Sequence, residues 1–204
     1  MKKVKLGVLV SGSGTNLQAI LNACKKSSYP AEVAVVISNN PEAYGLIRAQ
    51  KAKRLSIIIS HKDFETRESF EKVLHDTLKE QKVDYVILAG FMRILSPFFI
   101  KKWKNKILNI HPALLPSFPG THAIQQAFDY GAKITGVTVH FVDEGTDTGP
   151  IILQEALAIK EGTSLKKLEE SIHKIEHRLF PKAIELVSKK KIRHVGRKIF
   201  LGRS

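Results

Sequence analysis

The feature that most constrains this chain is the alternation of short β-branched runs with longer stretches of helical period through its first half. Val4–Val10, Glu32–Ser38, Ser56–Ile59, Tyr85–Ala89 and Ile107–Ile110 read as strands, and Asn16–Lys25, Glu42–Ala52, Thr66–Gln81 and Pro97–Lys102 as helices. In the third helix Phe70, Val73, Leu74 and Leu78 recur at three- and four-residue intervals and form one apolar stripe. Near-continuous apolar strands between amphipathic helices imply an α/β fold, a parallel sheet covered on both faces. Beyond His111 the rhythm changes. In Gly136–Asp143, Val137, Val139 and Phe141 alternate with Thr138, His140 and Val142, and Pro150–Ile159 follows as a second strand with no full helix between. That succession predicts an antiparallel strand late in the chain. A final helix over Leu165–Val187 places Leu165, Leu168, Ile172, Ile175, Leu179, Ala183, Ile184 and Val187 on one face. With no repeat and no flexible linker, the 204 residues read as a single domain. Its parts are a phosphate-binding, Rossmann-like half over 1–105, a catalytic half over 106–188 and a basic C-terminal tail over 189–204.

Charge narrows the function. Lys and Arg number 33 against 19 acids, a formal +14, which raises the local concentration of any anionic partner. Nucleic acid is the first partner to weigh, but basic residues are interleaved with acids, as in Lys79-Glu80-Gln81-Lys82, and no zinc-finger, basic-zipper or aromatic RNA-binding motif is present. The densest run, Lys189-Lys190-Lys191-Ile192-Arg193, reads as a solvated surface. No nucleic-acid partner is therefore expected, and a small polyanionic substrate would profit from the same field. Cys24 is the only cysteine, which rules out an intrachain disulfide. With no signal peptide in view, a cytoplasmic location is expected. The apolar run Val4–Val10 is too short to span a membrane, so no membrane partner is expected either.

The first strand runs into Ser11-Gly12-Ser13-Gly14-Thr15-Asn16-Leu17. Glycine tolerates positive φ and lets backbone N–H groups approach a ligand closely. The helix N-terminus that follows supplies free donors and the positive end of a dipole, which favours phosphate. A dinucleotide fingerprint fails because Leu17 stands at the third glycine position, and a P-loop fails for want of its lysine. Two readings remain: a monophosphate site, or a tight turn with Thr15 or Asn16 as helix cap.

Leu108-Asn109-Ile110-His111-Pro112 ends an apolar strand, and at period two Asn109 and His111 point to the same side. Ligands of parallel α/β sheets bind at the carboxyl ends of strands, so polar residues there suggest chemistry. Pro112 stops the strand, and a stiff loop runs on to Gly120. A second element, Asp143-Glu144-Gly145-Thr146-Asp147-Thr148-Gly149-Pro150, is an acidic loop able to deliver one carboxylate. Asn109, His111 and Asp147 together suit acyl transfer to an amine. An amide N–H and an imidazolium stabilise a developing oxyanion, while a carboxylate favours the charged imidazole and helps move protons. Despite eight histidines, no H-x-x-x-H or C-x-x-C pair supports zinc, and no metal is expected.

Several motifs in order carry a resemblance along almost the whole chain: Ser11–Gln18, Leu88-Ala89-Gly90-Phe91-Met92-Arg93-Ile94-Leu95, Asn109-Ile110-His111-Pro112, Leu114-Leu115-Pro116 and Asp147-Thr148-Gly149-Pro150. The chain resembles the folate-dependent phosphoribosylglycinamide formyltransferases of purine synthesis. The resemblance implies a doubly wound formyltransferase fold and transfer of a formyl group from 10-formyltetrahydrofolate, a co-substrate, to the amine of 5-phosphoribosylglycinamide. It implies that Asn109, His111 and Asp147 are catalytic, that Gly14, Thr15 and Asn16 bind the ribonucleotide phosphate, and that Glu176 holds its ribose or amine end. It further implies that Met92, Arg93, Ile94 and Leu95, with Asp143, Glu144, Gly145, Thr146 and Asp147, line the folate pocket, joined by Arg67 and Asn109. A monomer or homodimer is expected.

Two competitors share features with this chain. Formyltetrahydrofolate hydrolases resemble it but carry an extra regulatory domain before the first catalytic strand, which here starts at Val4. A nucleic-acid-binding module would account for +14 but leaves Asn109, His111 and the glycine turn unexplained.

Overall fold

The computed structural model describes residues 2–202. Its strands are β1 (Val4–Val10), β2 (Ala31–Ser38), β3 (Leu55–Ile58), β4 (Tyr85–Leu88), β5 (Ile107–His111), β6 (Ile134–Phe141), β7 (Ile151–Ala158), β8 (Ile192–Val195) and β9 (Lys198–Leu201). Its helices are α1 (Thr15–Cys24), α2 (Tyr44–Lys51), α3 (Arg67–Glu80), α4 (Pro97–Lys102), α5 (Ala123–Asp129) and α6 (Leu165–Ser188), with a 3-10 turn at His61–Asp63. A seven-stranded sheet has the order β3-β2-β1-β4-β5-β6-β7, the doubly wound, mostly parallel α/β arrangement. The chain divides into two compact units at Leu108/Asn109, inside β5.

In the first unit β1 pairs in parallel with β2 and β4, and β2 with β3. Leu6, Val8, Leu9 and Val10 are wholly buried, which explains the apolar run: a central strand has no face left for water. Gly7 interrupts it because a Cβ there would stand 2.3 Å from Leu78 Cδ2 of α3, so the missing side chain lets the helix approach. The α3 stripe is corrected at one position. Phe70, Leu74 and Leu78 are buried, but Val73 is exposed and Glu71 is buried in its place. Both oxygens of Glu71 accept from Ser96, one from its N–H and one from its hydroxyl, so the carboxylate is hydrogen-bonded although no ion pair of it is formed among the described residues.

In the second unit β6 and β7 are antiparallel, as the late alternation predicts, and α6 packs on both. Alternation of polarity along β6 does not mean alternation of exposure. Thr135 through Phe141 are all buried, with Thr138 and His140 satisfied by hydrogen bonds rather than by water. Three short elements escape the periodicity reading: the 3-10 turn, the seven-residue α5 and the β8–β9 hairpin. The hairpin lies where only a basic tail is expected. Its strands have four residues each and turn at Gly196, φ 57°, too little sequence for a period to show. Arg203 and Ser204 of that tail fall outside the described residues. Among the described residues no helix is long and apolar enough to cross a membrane.

Candidate active site

Asn109, His111 and Asp147 converge in the second unit. His111 Nδ1 lies 3.3 Å from Asp147 Oδ2, and Asn109 Nδ2 donates to Asp147 Oδ1 at 3.3 Å. Period two along β5 puts both side chains on one side, and the acidic loop brings the carboxylate to them. Asp147 sits at φ 54°, a left-handed conformation uncommon for a residue with a side chain and tolerated by Asp through local hydrogen bonding. The loop after β5 curls back on the same cluster. The Phe118 carbonyl is 2.7 Å from His111 Nε2, and the Gly120 N–H donates to Asp147 Oδ2 at 2.8 Å. Each ring nitrogen of His111 therefore faces an oxygen acceptor. A neutral ring has one N–H and leaves one lone pair against oxygen, whereas the imidazolium satisfies both. His111 is only 4% exposed, so both contacts are made away from bulk water.

A fourth side chain completes the cluster, and the sequence reading passed over it. His140 on β6, 2% exposed, directs Nδ1 to the Phe141 carbonyl at 2.7 Å. Its Nε2 stands 3.2 Å from Asn109 Nδ2 and 3.6 Å from Asp147 Oδ1. As a lone pair Nε2 accepts from Asn109; protonated, it donates to Asp147. Burial pushes the Asp147 carboxyl up and is the largest single influence. The His140 ring, the Gly120 N–H and the His111 charge together outweigh it, and the group lies below the ordinary carboxylate value. Asp147 is thus an anion held by donors on three sides. The one signal for His140 was its place two residues after Thr138 on a strand, which taken alone marks only a face.

In the first unit the glycine turn follows β1. Gly14 takes φ 67° as N-cap of α1, so neither Thr15 nor Asn16 caps the helix, and the first intrahelical bond runs from the Gln18 N–H to the Gly14 carbonyl. A Cβ on Gly14 would stand 2.7 Å from the Gly45 Cα, so the glycine is required by positive φ and by close backbone approach together. Arg48 of α2 steadies the turn by donating to the Ser13 carbonyl at 2.8 Å. Sheet order reverses between β1 and β4, the point at which open α/β sheets bind ligands. There the Ser11 N–H bonds to the Gly90 carbonyl and the Met92 N–H to Ser11 Oγ, joining the turn to the loop after β4. Ser11, Asn39, Asn40, His61, Lys62, Met92 and Arg93 line a cleft of about 690 Å³ at these strand ends, a volume suited to a small ligand.

The other expected contacts are distributed as follows. Met92, Arg93 and Ile94 are exposed on the loop after β4, and Leu95 is buried and anchors it. Arg67 is exposed at the start of α3. Glu144, Gly145 and Thr146 are exposed at the tip of the acidic loop, while Asp143 accepts from the Gly145 N–H and the Thr148 hydroxyl and so shapes it. Glu176 on α6 is buried and lies 2.8 Å from His173 Nδ1. Among the described residues no group of three or more His, Cys, Asp or Glu side chains is arranged to hold a metal ion.

Comparison with known proteins agrees with this fold. The pattern of the formyl transferase family matches residues 4–184. The chain is 40% identical over 181 residues to the phosphoribosylglycinamide formyltransferase of Bacillus subtilis, covering 89% of this chain and 93% of that one. It is 49% identical over 188 residues to the trifunctional purine biosynthetic protein adenosine-3 of Chironomus tentans, covering 91% of this chain but only 14% of that protein's length. Glycinamide ribonucleotide transformylase 1 from Symbiobacterium toebii superposes with a TM-score of 0.96 at 43% identity, covering 98% of this chain and 95% of that one.

Proposed function

The chain belongs to the formyl transferase family, and from that premise we propose that it transfers the formyl group of 10-formyltetrahydrofolate to the amine of 5-phosphoribosylglycinamide, a cytoplasmic step of purine synthesis. The observation that carries this reading is the buried cluster in which both His111 nitrogens face oxygen and Asp147 is held as an anion by several donors.

The substrate amine attacks the formyl carbon, and the carbonyl oxygen becomes an alkoxide. The Asn109 amide and the His111 imidazolium stabilise that charge where it develops. At rest their N–H groups are occupied by Asp147, His140 and the Phe118 carbonyl; the Asn109 contacts are long, 3.2 and 3.3 Å, and exchange readily for a substrate oxygen. Asp147, 3.3 Å from His111 Nδ1, orients the ring and takes the proton lost by the attacking nitrogen, directly or through water. When the tetrahedral species collapses, the carbonyl re-forms, the bond from carbon to folate nitrogen breaks, and that nitrogen receives the proton back from Asp147, directly or through water, which restores the carboxylate. No covalent enzyme intermediate is needed, and Cys24, buried and with its thiol pushed up to about 11 by burial, is unsuited to form one.

Gly14, Thr15 and Asn16 are assigned to the ribonucleotide phosphate, since a helix N-terminus favours an anion, and Glu176 to its ribose or amine end. Met92–Leu95, Arg67 and the Asp143–Asp147 loop are assigned to the folate. The whole chain acts in this reading as one catalytic domain, monomeric or homodimeric. The test is formyl transfer measured with and without the ribonucleotide. Tetrahydrofolate is expected to form only when both substrates are present; an equal rate without the ribonucleotide would identify a hydrolase instead.

A further inference from the structure

The basic C-terminal segment has no part in the chemistry above, and the family pattern ends at residue 184, before it begins. It nevertheless folds into the β8–β9 hairpin, whose two-residue turn, Gly196-Arg197, is set by pairing of Val195 with Lys198. An isolated two-stranded hairpin is marginal in water, so its docking contacts matter. Two of them fall on opposite ends of one loop. The His194 ring stacks on Phe141 with centroids 6.0 Å apart and planes 17° from parallel, and Phe141 is the last residue of β6, where the acidic loop departs. At the hairpin tip the Arg197 guanidinium donates to the Thr148 carbonyl, one residue after Asp147, where the loop returns. The hairpin is itself closed at its base by the Gly202 N–H bonding to the Lys191 carbonyl, and Arg193 lies 5.0 Å over the Phe200 ring.

We propose that the C-terminal hairpin is a clasp on the acidic loop, and that Arg197 is a positioning residue that holds Asp147 in its left-handed conformation facing His111. This rests on the formyl-transfer reading for its kinetic consequence but not for its structural one. Asp147 holds an uncommon backbone conformation; Thr148 and Gly145 donate to Asp143 within the loop and the Phe141 N–H bonds to the Pro150 carbonyl at its return, but none of these bonds engages the Thr148 carbonyl next to Asp147. A donor on the Thr148 carbonyl acts at that return. A cation serves better than a neutral donor there, because charge-assisted hydrogen bonds are the stronger kind.

The experiment compares wild type, Arg197→Ala, Arg197→Lys and the double variant His194→Ala/Arg197→Ala by steady-state kinetics and by amide hydrogen exchange of the segment 142–149. Arg197→Ala is expected to lower kcat/KM for the formyl donor about two- to tenfold, the range of one net hydrogen bond, with KM for the ribonucleotide and the melting temperature unchanged. Arg197→Lys recovers part of the loss, and the double variant loses more. Exchange over 142–149 is faster in the same order. Unchanged exchange in the double variant, or wild-type formyl-donor kinetics in it, overturns the clasp. If the wild-type chain transfers no formyl group at all, the functional reading fails, and exchange alone decides the clasp.

Discussion

The glycine turn of the first unit and the carboxylate cluster of the second are built on opposite plans. The turn is contiguous: Ser11 to Leu17 carry it, and in the proposed reading its binding groups are backbone amides, whose placement needs the absence of side chains at Gly14 and Gly45. The cluster is assembled from residues 109, 111, 118, 120, 140 and 147, drawn from two strands and two loops, and its chemistry lies in side chains whose charges depend on one another. A backbone site tolerates many neighbouring side chains but no added Cβ. The cluster tolerates no loss of a partner, because a buried charge without its counterpart is costly.

Substitutions at the two places should therefore fail differently. Asp147→Asn leaves the shape nearly intact but removes the anion that the His111 and Gly120 donors hold. Its kcat is expected to fall by about a hundred- to ten-thousand-fold, the scale of a lost acid–base group, with KM for the ribonucleotide little changed; wild-type turnover would remove the carboxylate from the mechanism. Gly14→Ala should do the reverse. A left-handed conformation costs an L-residue roughly 1–2 kcal/mol, and the new Cβ would press on Gly45 backbone. A rise in the KM for the ribonucleotide on the order of tenfold is expected, with kcat at saturation less affected, alongside a lower melting temperature. Equal losses in both parameters would break the distinction between a binding turn and a catalytic cluster.

The smallest effect concerns Glu176. The hydrogen bond that its carboxylate accepts from the His173 ring holds His173 above the ordinary imidazole value, against burial, which acts the other way. A raised folded value means that the stabilisation is fully present below the unfolded value of 6.5 and is lost as pH rises through the folded one. The melting temperature of wild type should exceed that of Glu176→Gln most at pH below about 6, and the gap should narrow as pH rises. Because His173 is half exposed, a small gap is expected. A gap that widened toward alkaline pH would show that the pair does not couple in this way.

Legibility follows the same division. Strand and helix placements in the first half are read to within one or two residues, because burial on both faces of β1 and β4 leaves a run of apolar residues that nothing else explains. Asn109 and His111 are readable as a pair because they share one strand face. Asp147 is suggested by its loop and joined to them by the chemistry of acyl transfer and by resemblance, not by spacing. His140 was not found, because a strand buried on both faces still shows alternating polarity when its polar members are satisfied by Phe141, Asn109 and Ala113 rather than by water. Glu71 was missed for a similar reason: a buried acid on an apolar stripe looks like an error of phase until Ser96 is seen to bond both of its oxygens.

The sequence by itself determined the α/β alternation, the late antiparallel strand, the glycine turn and the family motifs, since each is written in neighbouring residues and expressed through local backbone preference or periodic burial. Only the tertiary structure decided that Phe118 and Gly120 return to His111 and Asp147, that His140 stands beside Asn109, and that a basic tail closes as a hairpin on the acidic loop. Those contacts join residues far apart in the chain, and no periodicity encodes them. They exist because the packed sheet brings strand ends together and because polar groups buried there must find partners among whatever the fold places within reach.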